Sequence, residues 1–303
     1  MRTFDSDALE CLAAIVEEGG FERAAVRLSV TQSAVSQRLR ALEAQVGTVL
    51  LVRSRPVKPT SAGRLLIKHA MQMRLLRADL ETDLQELTPG TGGQREEDRI
   101  SIAINADSIA TWVLPALGPL VADGLPLEII TDDQDFTHEW LREGQVLGCV
   151  TTLKQALRGC KMVPLGAMPY VAVASASYAQ QYLPQGLTPH NFRDVSFLSF
   201  NRKDDMAAEF VARAFGLKRV ALNHLFVPGS EAQMRAVAAG WAVGVVPELL
   251  ARGAIADGSV VDLAPGRSLP IQLYWHCWNL ESELLDALSS ALTSAAAQAL
   301  VSY

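Results

Sequence analysis

Apolar side chains recur as Leu9, Leu12, Ala13 and Val16, at i, i+3, i+4 and i+7, the spacing of one face of a helix. Asp5 or Ser6 is placed to cap its start, and Gly19-Gly20 to end it. Glu22 to Leu28 predicts a short second helix whose Ala24 and Ala25 permit a close crossing. Thr31 is a good N-cap for a third helix, which carries the apolar stripe Val35, Leu39, Leu42 and Val46. Helix, short turn and helix make a helix-turn-helix. Leu50 to Thr60 then reads as two short β pieces around a basic turn, a wing. From Ser61 to Leu87 a long helix is predicted, with Leu66, His69, Met73, Leu76, Leu80 and Leu87 in 3-4 alternation and Leu84 off register. A seam that long needs a partner: a second copy of the helix is the cheapest one, and the body of its own chain is the alternative.

Thr88 to Asp98, TPGTGGQREED, is glycine-rich and then charged, which marks a linker. Beyond it strand-like and helical runs alternate: Ile100–Ile104 then Ala110–Leu120, Leu127–Thr131 then Thr137–Arg142, and Val146–Thr151. A second set comprises Tyr170–Ala174, Ser196–Phe200, a helix from Asp205 to Phe215, Val220–Phe226, a helix from Ser230 to Ala239, and Ala242–Val246. Ile271–Cys277 reads as a strand and Glu281–Val301 as a closing helix. This alternation predicts an α/β body with a mainly parallel sheet. The domains expected are a winged helix-turn-helix over 1–60, a linker and dimerisation helix over 61–88, and a ligand-binding body over 89–303.

Charge changes the picture by being unevenly divided. The formal net charge is −6, yet residues 1–88 hold 12 Lys and Arg against 11 Asp and Glu, leaving 15 against 22 for the rest. Between Gly20 and Lys68 nine cations face only Glu22 and Glu43. A cationic module on an acidic body attracts polyanions. On the third helix Gln32, Ser33, Ser36, Gln37 and Arg40 share one side, opposite the apolar stripe. Glutamine can pair with adenine, arginine with guanine, and serine with base edges or phosphates. Arg53, Arg55 and Lys58 of the wing can reach backbone phosphates or a minor groove. Double-stranded operator DNA is the partner these residues point to; a merely solvated helix face is the bland alternative.

FERAAVRLSVTQSAVSQRLRALEAQVGTVLLVRSRPVKPTSAG (Phe21–Gly63) and the long helix after it resemble the LysR-type transcriptional regulators. NADSIATWVLPAL (Asn105–Leu117), KDDM (Lys203–Met206), GSEA (Gly229–Ala232), DLAPG (Asp262–Gly266) and LYWH (Leu273–His276) are similar to the ArgP/LysG branch, which senses lysine and arginine. The resemblance covers nearly the whole chain; Val46 departs from it where the family commonly has an aromatic. It implies a body of two α/β subdomains resembling a periplasmic binding protein, about 98–165 with 269–303 and about 166–268, and a ligand cleft between them. It also implies control of basic amino-acid export or metabolism genes, a homodimer or tetramer, and RNA polymerase as a further partner.

Asn105, Asp107 and Ser108 stand where the first strand of the body hands over to a helix, and free N–H groups there suit a carboxylate. Ser108 and Thr111 can add hydroxyls, and Ser230 can do so from the opposite wall; ordinary N-capping is the alternative role. A basic amino acid also brings cations, for which Asp107, Asp132, Asp133, Asp204, Asp205 and Glu231 are candidates, with Trp112 or Trp275 to stack on its aliphatic stem. A different small carboxylate, or amino-acid binding without operator specificity, fits the same pattern less fully.

Other classes find little support. P-loop, G-x-G-x-x-G, G-x-S-x-G and H-E-x-x-H motifs are absent, and the histidines lack ligand spacing, so neither an enzyme nor a cofactor or metal is expected. Cys11, Cys149, Cys160 and Cys277 are scattered, and Cys149 lies in an apolar run, against a redox sensor. The longest apolar runs fall far short of the roughly 20 residues of a membrane span. The acidic N-terminus is unlike a leader, which argues against a stand-alone solute-binding protein and for a cytoplasmic one.

Overall fold

A computed structural model describes residues 4–52, 54–87, 100–132 and 137–302. The N-terminal module is built from α1 (Ser6–Glu17), α2 (Phe21–Arg27) and α3 (Gln32–Val46), the strands β1 (Leu51–Val52) and β2 (Lys58–Pro59), and the start of α4 (Ser61–Leu87). Leu9, Leu12, Ala13, Ala24, Ala25, Val35, Leu39 and Leu42 are buried in its core, while Val16 and Val46 are half-buried at its edge. The Thr31 hydroxyl oxygen accepts the Ala34 N–H at 3.2 Å and so starts α3. Gly47, at φ 86°, ends it in the left-handed region, with its N–H on the Glu43 carbonyl at 2.8 Å.

The wing is tied to both neighbouring helices. The Glu43 carboxylate accepts the Leu50 N–H at 2.9 Å, which joins α3 to β1. Thr60 donates its N–H to the Leu50 carbonyl and its hydroxyl to the Val49 carbonyl, both at 2.9 Å, and its hydroxyl oxygen accepts the Gly63 N–H at 3.1 Å. β1 and β2 pair antiparallel with Leu51 opposite Pro59. Gly63 lies against this junction so closely that an added Cβ would sit 2.1 Å from the Leu50 carbonyl oxygen.

α4 carries two apolar faces. Ile67, Ala70, Met71 and Leu75 are buried, and α4 packs on α1. The mostly buried Arg74 strengthens that contact through Glu10 at 2.6 Å and Glu17 at 2.8 Å. Of the predicted seam, Leu66 and Met73 are half-buried and His69 is exposed. Leu76, Leu80 and Leu84 are exposed by 45, 55 and 49%, although the body of the same chain does touch the first half of the helix. Those touches include Arg64 to Glu143 at 4.0 Å and Lys68 Nζ to the Arg158 carbonyl at 3.5 Å.

The body runs β3 (Ile100–Asn105), α5 (Ala106–Ser108), a π-helical turn (Ile109–Val113), α6 (Leu114–Ala122), β4 (Leu127–Asp132), α7 (Thr137–Arg142), β5 (Gly148–Thr151) and β6 (Cys160–Ser175). It continues through α8 (Ala176–Tyr182), β7 (Ser196–Ser199), α9 (Met206–Phe215), β8 (Asn223–Phe226), α10 (Ser230–Ala238), β9 (Gly244–Pro247), α11 (Glu248–Ala256), β10 (Val260–Asp262), β11 (Leu269–Trp278) and α12 (Glu283–Ala299). The main sheet has the order β10-β6-β11-β5-β3-β4, with β9 also on β6. β7 pairs with β8 and touches the β9 side through the Leu198 N–H on the Val243 carbonyl at 2.8 Å.

Two lobes result because β6 and β11 are long enough to belong to both. Paired with each other along their length, they reach β5 through Tyr274–Cys277 of β11 and reach β9 and β10 through Tyr170–Ser175 of β6. A bulge between Leu273 and Tyr274, opposite Gly166 and Pro164, marks the crossing. The sheet is therefore mixed and not mainly parallel: β3 is parallel to β4 and β5, whereas β11 runs antiparallel to β5 and β6. β6 begins ten residues before the predicted Tyr170, since Pro164, Gly166 and Pro169 interrupt its apolar pattern. α8, α11 and β10 were not anticipated either.

Replacing Gly63 by Ala is expected to cost about 1–3 kcal/mol through overpacking against the Leu50 carbonyl. Thermal unfolding should show it, and an unchanged midpoint would contradict the close approach.

Candidate functional site

On α3, Gln32, Ser33, Gln37 and Arg40 are exposed and Ser36 is half-buried, on the side away from Val35, Leu39 and Leu42. Arg55 and Lys58 are exposed on the wing, while Arg53 lies outside the described residues. Other cations of the segment are spent inside the protein. Arg38 reaches Asp7 at 3.1 Å, and Arg27 pairs with Glu17 and with Glu18, the latter at 3.5 Å. Among the described residues no carboxylate lies within salt-bridge distance of Arg40, Arg55 or Lys58. The cations without a carboxylate partner among the described residues thus include those of the recognition face and the wing, together with the exposed Arg23 of α2.

The second site lies where the lobes meet. Asn105, Ala106 and Asp107 come from the end of β3 and the start of α5; Tyr170 from β6; Phe200, Asp204 and Met206 from the approach to α9; Ser230 and Gln233 from α10; Val245 from β9. They enclose a cleft of about 60 Å³, well under the roughly 300–1,000 Å³ of a typical small-molecule pocket. Tyr170 donates its hydroxyl to Asp107 Oδ2 at 2.5 Å, and Ser230 donates its own to Asp107 Oδ1. Asn105 and Ser108 are buried, and among the described residues neither the amide of Asn105 nor the Ser108 hydroxyl has a partner. Buried polar atoms of that kind are costly unless something meets them.

The remaining candidates are distributed differently. Thr111 donates to the Asp107 carbonyl at 2.7 Å and serves its own helix, outside the cleft lining. Asp204 accepts the Phe200 N–H at 2.6 Å and the Met206 N–H at 2.9 Å, so it both lines the cleft and starts α9. Asp205 and Glu231 are exposed and do not line it. Asp133 and the side chain of Asp132 lie outside the described residues. Neither tryptophan stacks in the cleft: Trp112 is buried, and Trp275 is core, its Nε1 donating to Ser289 of α12 at 2.9 Å. The aromatic side chains in the lining are Tyr170 and Phe200, which the spacing of the sequence does not single out.

A much larger space of about 2170 Å³ lies between the winged module, α4 and the body. Its walls mix Asp7, Glu10, Arg74, Glu139, Arg202 and Lys203, so it is an interdomain gap without a single chemical character. Among the described residues no helix could cross a membrane, and no cluster of three side chains could hold a metal.

A winged helix-turn-helix joined to a two-lobed body with a cleft defines a DNA-binding regulator controlled by a small molecule. Residues 6–64 match the model of the bacterial regulatory helix-turn-helix protein, lysR family, and residues 93–298 that of the LysR substrate binding domain. The transcriptional regulator ArgP of Aeromonas salmonicida is 39% identical over 301 residues, 99% of each chain. The crystal structure of ArgP from Mycobacterium tuberculosis is similar at a TM-score of 0.84 and 37% identity, covering 99% of this chain and 100% of that one. Full-length LysG from Corynebacterium glutamicum with bound effector Arg has a TM-score of 0.74 and 34% identity, covering 98% of this chain and 99% of that one. The chain belongs to the LysR family of helix-turn-helix transcriptional regulators.

The cysteines stand apart from both sites. Cys277 pairs with Gly148 and Lys161, whereas Cys149 pairs with His276 and Cys160 with Trp278, which puts Cys277 on the opposite face of the sheet from the other two. Burial pushes the thiols of Cys11, Cys149 and Cys277 up from their ordinary value. Each therefore stays protonated to higher pH in the folded chain than in the unfolded one. Alkylation at pH 8 should be much slower in the native protein than in denaturant, and rapid native labelling of Cys149 would contradict its burial.

Proposed function

We propose that the chain is a cytoplasmic homodimer that binds two-fold related operator DNA and answers lysine or arginine bound in the interlobe cleft. The observation that carries the effector reading is the Asp107 carboxylate, lining the cleft beside the unpartnered amide of Asn105; the buried Ser108 is not part of the lining. A carboxylate suits an ammonium, and an amide N–H suits the carboxylate of the same amino acid. Asp204 adds a second anionic group, and the aromatic rings of Tyr170 and Phe200 offer apolar surface for a methylene chain. A plain small carboxylate would leave Asp107 opposed to its own charge. The arginine of the corynebacterial LysG structure supports the same class of ligand. The exposed Leu76, Leu80 and Leu84 of α4 support a second copy as the partner of that helix, which would set two α3 helices at a fixed spacing.

In DNA binding, Arg40→Ala is expected to cost about 1–3 kcal/mol and to relax discrimination at one position of the operator. Lys58→Ala should weaken binding alike on all sequences and lower the salt slope by about 1. Titrations at several salt concentrations separate the two, and equal slopes for wild type and the Lys58 variant would count against the wing contact.

Calorimetric titration of the full chain with a panel of amino acids tests the effector. Lysine or arginine should bind and uncharged analogues should not. Asp107→Asn should lose about 2–5 kcal/mol of that binding, as expected for removing one partner of a buried charge pair. Unaltered affinity would remove Asp107 from the site.

A further inference from the structure

Asp107 belongs to the first lobe, but both of its carboxylate oxygens are held by the second. Ser230, at the first turn of α10, donates to Oδ1, and Tyr170, in the part of β6 beside β9, donates to Oδ2 at 2.5 Å. The same two contacts draw the walls together until about 60 Å³ remains. In the same pose the Asn105 amide, which lines the cleft, is buried and without a partner among the described residues, a state that favours opening. Something must outweigh that cost, and two hydrogen bonds to one half-buried carboxylate, both from the opposite lobe, are the contacts placed to do so.

We propose that the Tyr170 and Ser230 hydroxyls form a latch that holds the cleft shut by occupying the Asp107 carboxylate, so that a cationic effector must displace them before it binds. This rests on the reading of the cleft as a basic amino-acid site. The latch gives two poses of the lobes. In the closed one the carboxylate is satisfied by hydroxyls and the Asn105 amide is stranded; in the open one an ammonium takes the carboxylate and the effector's own carboxylate meets Asn105. Only an amino acid with both groups gains on both counts. A cleft that is mostly latched lowers the apparent affinity by the fraction of molecules that are open. Tyr170 and Ser230 would then set effector sensitivity as positioning residues that act through Asp107.

The test is calorimetry of the full chain with L-arginine and L-lysine on wild type, Tyr170→Phe, Ser230→Ala and the double variant. The double variant should bind roughly tenfold more tightly than wild type, a change of about 1.4 kcal/mol. Weaker binding would make the two hydroxyls direct effector ligands, and equal binding would mean that they do not compete; either result overturns the latch. If wild type binds neither amino acid, the effector reading fails, and the latch is then judged by hydrogen exchange in the absence of amino acids. The amides of residues 106–108 and 229–233 should exchange faster in the double variant than in wild type; equal protection overturns the latch on its own. Unchanged far-ultraviolet dichroism keeps misfolding from imitating the faster exchange.

Discussion

Asp107 is fixed at both ends. Its backbone begins the helical stretch after β3, where its carbonyl accepts the Thr111 hydroxyl, and its carboxylate is bound from across the cleft by Tyr170 and Ser230. A charged group can be buried between two lobes only if hydrogen-bond donors or cations surround it. Here both donors come from the opposite lobe, so contact between the lobes runs through this half-buried carboxylate. The lobes share β6 and β11, and the bulge at Leu273 and Tyr274 lies between the part of each strand that belongs to one lobe and the part that belongs to the other.

The DNA-binding module obeys a different constraint, the division of α4 into two apolar faces. One is used up by α1, with Arg74 clamped between Glu10 and Glu17. The other, through Leu76 and Leu80, is exposed among the described residues. Exposed leucines in a row are poor surface unless they meet apolar partners. The helix that organises the module is therefore also the one that calls for another chain.

Much of this was legible in the sequence where the signal is local. The Thr31 cap, the stripe of Val35, Leu39 and Leu42, and the basic wing depend on residues a few positions apart, and the structure forms them as the spacing predicts. The cleft was legible only in part. Asn105, Asp107, Asp204 and Ser230 meet there, but Tyr170 reads as the first residue of an apolar strand, and only tertiary pairing brings its hydroxyl to Asp107. Asp204 and Asp205 are indistinguishable by type and position; the turn at Phe200–Met206 directs one inward and leaves the other exposed. The first half of β6 was hidden by the prolines and glycine beside which the lobes cross, since period-two alternation fails where a strand bends.

How the cleft can speak to the DNA follows from which lobe α4 touches. Arg64 meets Glu143 and Lys68 meets the Arg158 carbonyl, both in the lobe that carries Asp107. Gly144 approaches so closely that a Cβ there would lie 2.5 Å from the Lys68 Cβ, which leaves little freedom at that contact. The first lobe is thus the one in contact with the helix, while Tyr170, Ser230 and Asp204 belong to the second. The segment at Phe200–Lys203 belongs to that second lobe and faces two ways: Phe200 lines the cleft, and Arg202 and Lys203 line the gap shared with the wing. A ligand alters such an arrangement only by the difference in its affinity for the two poses. Because the carboxylate is already satisfied when the lobes are together, that difference must come from groups the closed cleft leaves unmet, and the Asn105 amide is the one that both lines the cleft and lacks a partner among the described residues.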